Sequence, residues 1–384
     1  MKILNELIES DDIFLVDDNV ELSYTTVKKK IENYTSYFQE KGICPDFRVG
    51  LAADNSAESF CMYIALMRYC SCVPMPFDVN LENTGEEFNA VFWVKRLQED
   101  TYTDLDGVHH YQGRPDWFLD EEQYKPRWNE NPDETFFIEE FYHTEGLTES
   151  PGEYLAWWSS GTSKGNENRQ RLGYGVTDSH TEWLTTTGHD KGDVDLLVFD
   201  RILEEYNIDK PVTFNIQPPF LSQCSDRLIV TYERQGTFIC WSDWDNLPTM
   251  LNKWKPQWWY GAPNHLKALL NNNKDYDGFK LIINTGAAID DETKNRLGVI
   301  FNCDIGNLYG VIESGDMTFG TVGVGKPYDT EYGSSYVNEA GLACYKFADG
   351  TIFETKDYML VDDDGNWHFG KRLDSEGKGV PHAV

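Results

Sequence analysis

Short apolar runs alternate with stretches of helical apolar spacing along most of this chain, and that alternation constrains its fold more than any other feature. Residues 24–41 carry apolar side chains at helical spacing, 48–53 form a short apolar run, 56–69 return to helical spacing, and 72–76 are a second run ended by proline. Strands joined through helices of that length pair in parallel, because a parallel neighbour needs a long crossover. The pattern resumes with strands expected at 154–158, 212–216, 237–241 and 280–284 and helices at 183–206, 246–254 and 265–272. Beyond Gly320 the spacing changes to short alternating strands separated by glycine, as in 341–345 and 351–354. That predicts a small antiparallel, barrel-like unit. The fold class is therefore α/β: two packed α/β subdomains with largely parallel sheets (1–150 and 151–319) and a small β subdomain (320–374). Residues 80–150 are polar and acidic and read as connecting structure.

Length and charge set outer bounds. A chain of 384 residues holds two or three structural units. With 65 acidic against 33 basic side chains, the net charge of −32 excludes a general phosphate-backbone binder, so no nucleic-acid partner is expected. The longest basic run, Lys28-Lys29-Lys30, reads as the exposed face of a helix. A local nucleotide site remains compatible with an acidic surface. No stretch approaches the roughly 18 apolar residues that cross a bilayer, and the opening Met1-Lys2-Ile3-Leu4-Asn5-Glu6 has no signal pattern, so no membrane association and a cytoplasmic location are expected. The eight cysteines lack C-x-x-C spacing and read as buried free thiols of a reducing compartment.

Several segments could carry chemistry. Ser160-Gly161-Thr162-Ser163-Lys164-Gly165 follows a strand; small residues let backbone N–H groups converge on an anion, and Lys164, Arg169 or Arg171 could add charge. Gly320 to Lys326 fits G-x-x-x-x-G-K, but Pro327 stands where a hydroxyl must bind magnesium, so the phosphate-loop reading is rejected. Asn307-Leu308-Tyr309-Gly310-Val311-Ile312-Glu313 joins a ring to cover a base with a carboxylate for Mg²⁺, and Gly286-Ala287-Ala288 offers small residues for a flat base to lie against. Asp362-Asp363-Asp364-Gly365-Asn366 reads as a tight Asp-Gly turn rather than a calcium loop. The rings of Trp258-Trp259-Tyr260 serve as either core or pocket wall, and His109-His110 reads as a surface pair.

The order of these motifs resembles the large amino-terminal domain of the adenylate-forming superfamily, which includes acyl-CoA synthetases, non-ribosomal peptide adenylation domains and firefly luciferase. Ser160-Gly161-Thr162-Ser163 resembles its phosphate loop, Thr285-Gly286-Ala287-Ala288-Ile289 its adenine-side segment, and Tyr309-Gly310-Val311-Ile312-Glu313 its Y-G-x-T-E. Thr355-Lys356-Asp357 resembles T-G-D, and Arg372-Leu373-Asp374 with Lys378 resembles its hinge, which leaves 375–384 as a hinge stub and no counterpart of the mobile carboxy-terminal domain. Tyr174 stands where the family has a lysine.

The resemblance implies ATP and Mg²⁺ as cofactors and a small-molecule carboxylate as substrate, with an acyl-adenylate formed and pyrophosphate released. Glu313 and Arg372 are the implied catalytic residues, Glu313 being also the metal ligand. Residues Ser160 to Gly165 are implied to cradle the phosphates, Asp357 to fix the ribose, and Gly286, Ala287, Ala288, Tyr309 and Gly310 to enclose the adenine. CoA, a carrier protein or a partner supplying the carboxy-terminal domain would complete the reaction. A catalytically degenerate binder of nucleotide or acyl-adenylate stays open as the alternative.

Overall fold

A computed structural model describes residues 7–18, 20–45, 47–75, 90–96, 101–103, 109–111, 125–128, 136–142, 153–158, 171–175, 191–216, 222–241, 246–272, 276–311, 314–373 and 379–380. The chain divides into two compact units, one of residues 2–181 with 216–225 and the other of 182–215 with 226–384.

The first unit opens with a hairpin of Ile13–Val16 and Glu21–Ser23, then the helix Tyr24–Glu40. Ser23 caps that helix by accepting from the Thr26 N–H, and Tyr24, Val27, Ile31, Tyr34 and Phe38 recur along one buried face. The helix Ala57–Tyr69, capped by Ser56, is buried around nearly its whole circumference. Glu58, only 5 % exposed, accepts from the Tyr34 hydroxyl and pairs with Lys30 at 2.6 Å, so it clamps the two helices together. The lysine run is therefore not a plain solvated face. Lys29 is exposed, whereas Lys28 pairs with Glu9 and Lys30 with Glu58.

The sheet of this unit has seven strands in the order Arg171–Gly175, Glu153–Trp158, Ser71–Met75, Arg48–Ala53, Ala90–Arg96, Phe136–Tyr142 and Lys125–Trp128. Its four central strands, from Glu153–Trp158 to Ala90–Arg96, run parallel and the flanking ones antiparallel. Residues 80–150 thus do more than connect. They supply three strands of this sheet and the small ribbon Thr101–Thr103 with His109–Tyr111. Ala90 to Val94 is a continuous apolar run without alternation, as a strand covered on both faces needs, so its periodicity carried no strand signal.

In the second unit, strands run in the order Lys326–Pro327, Gly315–Gly320, Asp304–Val311, Leu281–Asn284, Trp258–Gly261, Val212–Asn215 and Thr237–Cys240. The last five are parallel. Helices Lys191–Glu205, Leu247–Trp254, Pro263–Asn272 and Asp291–Phe301 belong to this unit, and Ser222–Glu233 contributes most of its length. The helix expected at 183–206 is observed as Lys191–Glu205, and residues 183–190 lie outside the described ones. Trp258, Trp259 and Tyr260 are each at most 1 % exposed, packed edge-on against Phe199 and Phe214. The core reading of these rings holds.

Five consecutive antiparallel strands, Gly333–Val337, Leu342–Phe347, Ile352–Val361, Trp367–Leu373 and Gly379–Val380, form the separate small sheet. Its core is Ala343, Tyr345, Phe347, Met359 and Trp367, joined by Met317. Asp362 caps the expected tight turn: the Asp364 and Asn366 N–H groups both donate to its Oδ1, and Gly365 takes the required positive φ of 83°. The rejected phosphate loop is a turn as well, with Gly325 at φ 91° packed against the Phe319 and Gly320 backbone.

Candidate functional site

Ligands in parallel α/β sheets collect at the carboxyl ends of the strands. In the second unit two neighbouring parallel strands carry asparagine where their pairing ends. Asn284 closes Leu281–Asn284 and stands in register opposite Asn307 of Asp304–Val311. Both are buried, at 3 % and 9 % exposure. Asn307 Nδ2 donates to the Gly323 carbonyl at 2.6 Å, so its Oδ1 faces Asn284, whose Nδ2 donates to it at 3.1 Å and to the Ala287 carbonyl at 2.9 Å. This relay fixes the turn Thr285-Gly286-Ala287 against the neighbouring strand. Gly286 takes φ 77°, and no atom lies within 4 Å of where its Cβ would be, so the turn is open on that side.

Tyr309 lies two residues beyond Asn307 and on the same face of its strand. Its hydroxyl donates to Asp357 Oδ2 at 2.9 Å. Burial, followed by the Asp357 charge, pushes the Tyr309 phenol well above its usual range, so the ring acts as a neutral donor. Gly310 has a different reason to be glycine: a Cβ there would meet the Gly315 carbonyl oxygen at 2.4 Å and Asp316 Cα at 2.7 Å on the paired strand.

Asp357 belongs to the small sheet and is 1 % exposed. Its backbone N–H donates to Thr355 Oγ1 at 3.1 Å. Arg372 sits directly opposite in the antiparallel register. Its guanidinium donates through an Nη to Oδ2 at 3.2 Å, and its Nε lies 2.8 Å from Oδ1 as an ion pair without hydrogen-bond alignment. The structure therefore joins Tyr309, Asp357 and Arg372 in one cluster and links Ala287 to the Tyr309 strand through the two asparagines. Ala288 is exposed next to that turn.

The implied phosphate residues Ser160, Gly161, Thr162, Ser163, Lys164 and Gly165, together with Glu313, lie outside the described residues. Arg171 begins the strand Arg171–Gly175. Among the described residues no three His, Cys, Asp or Glu side chains converge to hold a metal. Mg²⁺ with a nucleotide commonly takes only one or two carboxylates plus phosphate oxygens, so a closed cage is not the pattern to expect. For the nucleoside half of the implied ligand the described residues offer an open glycine turn, a ring on the same sheet face as the buried asparagines, and a carboxylate, 1 % exposed, with one oxygen that lacks an aligned donor. An open groove of about 530 Å³ elsewhere, lined by Asp200, Glu204, Asp209, Lys210, Glu233, Arg234 and Gln235, carries no residue of this cluster.

Asn284, Asn307 and Thr355 hold the site together, yet the motifs gave them no role. Two asparagines at opposed strand positions were the available signal, since that residue is depleted in strands and demands partners when buried. The cysteines are all free, as expected, but not all are buried: Cys44 is exposed and Cys303 half-buried, and burial pushes the Cys303 thiol up to about 12.

The sequence matches no family model and no curated protein. Solved structures share the fold. The luciferase-like enzyme from the nonluminescent mealworm Zophobas morio is 14% identical with a TM-score of 0.63, over 95% of this chain and 92% of that one. The unliganded O-succinylbenzoate coenzyme A synthetase of Bacillus subtilis is 10% identical with a TM-score of 0.64, over 96% and 82%. An ATP-bound RpMatB–BxBclM chimera is 13% identical with a TM-score of 0.66, over 97% and 78%. The chain shares the fold of these solved structures, α/β with parallel-dominated sheets and a separate antiparallel sheet, the fold class that the sequence resemblance implied.

Proposed function

We propose that this chain activates a carboxylic acid with ATP and Mg²⁺, forming an acyl-adenylate and releasing pyrophosphate. The observation that carries this reading is Asp357: a carboxylate almost fully buried, bound by Tyr309 and Arg372, on a fold shared with a coenzyme A synthetase and an ATP-bound enzyme. In this reading Asp357 accepts the ribose hydroxyls, while Tyr309, Gly286, Ala287 and Ala288 enclose the adenine. Ser160 to Gly165 receive the β- and γ-phosphates, and Glu313 holds Mg²⁺. The acid's oxygen bonds to the α-phosphorus as the bond from phosphorus to the β-bridging oxygen breaks, and pyrophosphate carries that electron pair away. Bound Mg²⁺ would neutralise phosphate charge. The chain's own residues align acid and phosphate and exclude water, which is where most of the acceleration in such a transfer arises. CoA, a carrier-protein thiol or an amine is the proposed acceptor class.

Calorimetric titration with ATP plus Mg²⁺, beside Glu313→Ala, followed by pyrophosphate release across a panel of carboxylic acids, tests this. Binding weakened by the substitution together with acid-dependent pyrophosphate release is the expected result; no binding at millimolar ATP removes the reading. The second reading, a binder without turnover, is favoured by Tyr174 at the family's lysine position. It predicts the same binding with no pyrophosphate for any acid.

A further inference from the structure

Asp-Gly pairs are prone to rearrange their own backbone, because glycine has no side chain to obstruct attack by its nitrogen on the preceding carboxyl. Three such pairs lie among the described residues, Asp277-Gly278, Asp349-Gly350 and Asp364-Gly365; a fourth, Asp106-Gly107, lies outside them. The fold treats the three differently. In the two turns of the small sheet the glycine nitrogen is committed, the Gly350 N–H donating to the Phe347 carbonyl at 2.9 Å and the Gly365 N–H to the Asp362 carbonyl at 3.0 Å. The Asp349 carboxylate is held as well, by the Thr351 N–H at 2.8 Å.

Asp277-Gly278 has neither restraint. It lies in the irregular stretch before the strand Leu281–Asn284, Asp277 is exposed, and among the described residues neither its carboxylate nor the Gly278 N–H makes a hydrogen bond. The residues on either side are anchored. Tyr276, 4 % exposed, donates its hydroxyl to the Pro256 carbonyl at 2.7 Å, and the Lys280 N–H donates to the Gln257 carbonyl at 2.7 Å. Packing also keeps the reactive glycine in place, since a Cβ on Gly278 would lie 2.1 Å from the Tyr276 hydroxyl oxygen.

We propose that Asp277 is the position at which this protein isomerises to isoaspartate as it ages. The Gly278 nitrogen gives up its proton and bonds to Asp277 Cγ, the bond from Cγ to its hydroxyl oxygen breaks, and that oxygen leaves as water. Water then opens the cyclic imide. Where it breaks the bond between the nitrogen and the original main-chain carbonyl carbon, the chain runs on through Cβ and is one methylene longer. The water lost is regained, and nothing is oxidised or reduced. An added methylene between two anchored residues displaces one of them, and Tyr276 packs edge-on against Phe279 with ring centroids 4.8 Å apart, so the core ahead of Leu281–Asn284 bears the change.

The test incubates the whole chain at neutral pH, folded and, in parallel, unfolded in guanidinium. Isoaspartate at each pair is read by peptide mapping with the endoprotease that cuts before aspartate and spares isoaspartate. In the folded protein Asp277 should convert about fivefold faster than Asp349 or Asp364, the factor by which one net hydrogen bond lowers an opened fraction. In the unfolded chain the three rates should converge, because only the fold distinguishes the pairs. Asp277→Glu, whose attack would have to close a larger ring, should remove the signal at that position and leave the other two unchanged, with thermal unfolding confirming that the variant is folded. Folded rates at Asp349 or Asp364 equal to that at Asp277, no conversion at Asp277, or the same preference in the unfolded chain would each overturn the proposal.

Discussion

The Tyr309 hydroxyl and Asp357 Oδ2 meet at 2.9 Å across 48 residues of chain, tying the last parallel strand to the small antiparallel sheet. A buried carboxylate that loses a donor bears the cost of its own desolvation. Tyr309→Phe keeps the ring and removes only that donor, so it should lower unfolding stability by about 1–3 kcal/mol. Urea denaturation measures this. A variant as stable as wild type would mean that Arg372 alone satisfies the carboxylate.

The asparagine relay makes a sharper demand. Asn284→Leu keeps the branched outline of the side chain, though it is bulkier, and strips the Ala287 carbonyl and Asn307 Oδ1 of their donor. Two buried acceptors left without partners should cost about 2–4 kcal/mol, each at the lower end of the usual penalty. Asn307→Leu also leaves the Gly323 carbonyl unpaired, and because the residues share one network the double variant should cost less than the sum. Strict additivity in a double-mutant cycle would contradict the relay.

Much of this architecture was legible because local chemistry and tertiary need coincide. Residues 24–41 show an apolar stripe at helical spacing, and the structure places a helix at Tyr24–Glu40 with that stripe buried. Ala57–Tyr69, capped by Ser56, forms where helical spacing was expected, but it is buried nearly all round rather than along one stripe. The strands Asp304–Val311 and Gly315–Gly320 were not legible, since Gly306, Gly310, Gly315 and Gly320 have low strand preference. Gly306, Gly310 and Gly320 are glycine because neighbours approach closely, a Cβ on Gly306 lying 2.5 Å from the Phe319 ring, whereas Gly315 takes a φ of 81°. The helix Asp291–Phe301 was not read from the sequence: Asp290 caps it, its carboxylate accepting from the Thr293 N–H at 2.7 Å, but the run that follows has a weak apolar stripe. At the site, the motifs pointed to Tyr309, Asp357 and Arg372. That these three meet is a matter of strand register, which spacing along the chain does not encode.

Two site glycines separate conformational from packing need. Gly286→Ala meets no atom but must hold φ 77°, which should cost about 1–2 kcal/mol. Gly310→Ala has room in φ but drives a methyl into the Gly315 carbonyl and Asp316 backbone, so strand separation should cost it about 1–3 kcal/mol or more. Gly286→Asn should recover part of the loss of Gly286→Ala, because asparagine tolerates the left-handed region, whereas Gly310→Asn should recover none of the loss of Gly310→Ala. Denaturation of the four variants distinguishes the two causes, and a recovery at Gly310 would refute the assignment.

The last expectation concerns acid. His265, third in the helix Pro263–Asn272, has its Nδ1 buried without a hydrogen-bond partner, and burial first, then the nearby Arg227 charge, holds its pKa below the usual 6.5. The folded state thus binds the proton less readily than the unfolded one. Above about pH 6.5 both states are neutral and His265 adds no pH dependence; below it the unfolded chain takes up the proton first, and stability falls until the pH has passed the lowered folded pKa. Asp362 contributes acid sensitivity of its own, since hydrogen bonds from Asn366 and then His368 hold its carboxyl below the usual range, a stabilisation lost as pH falls. Comparing wild type with His265→Gln removes that shared part. Urea midpoints taken between about pH 7.5 and about pH 5 should fall more steeply for wild type, with the gap opening only below about pH 6.5. Parallel profiles through that range would show that the His265 ring gains a proton as easily folded as unfolded, and that its buried Nδ1 imposes no penalty.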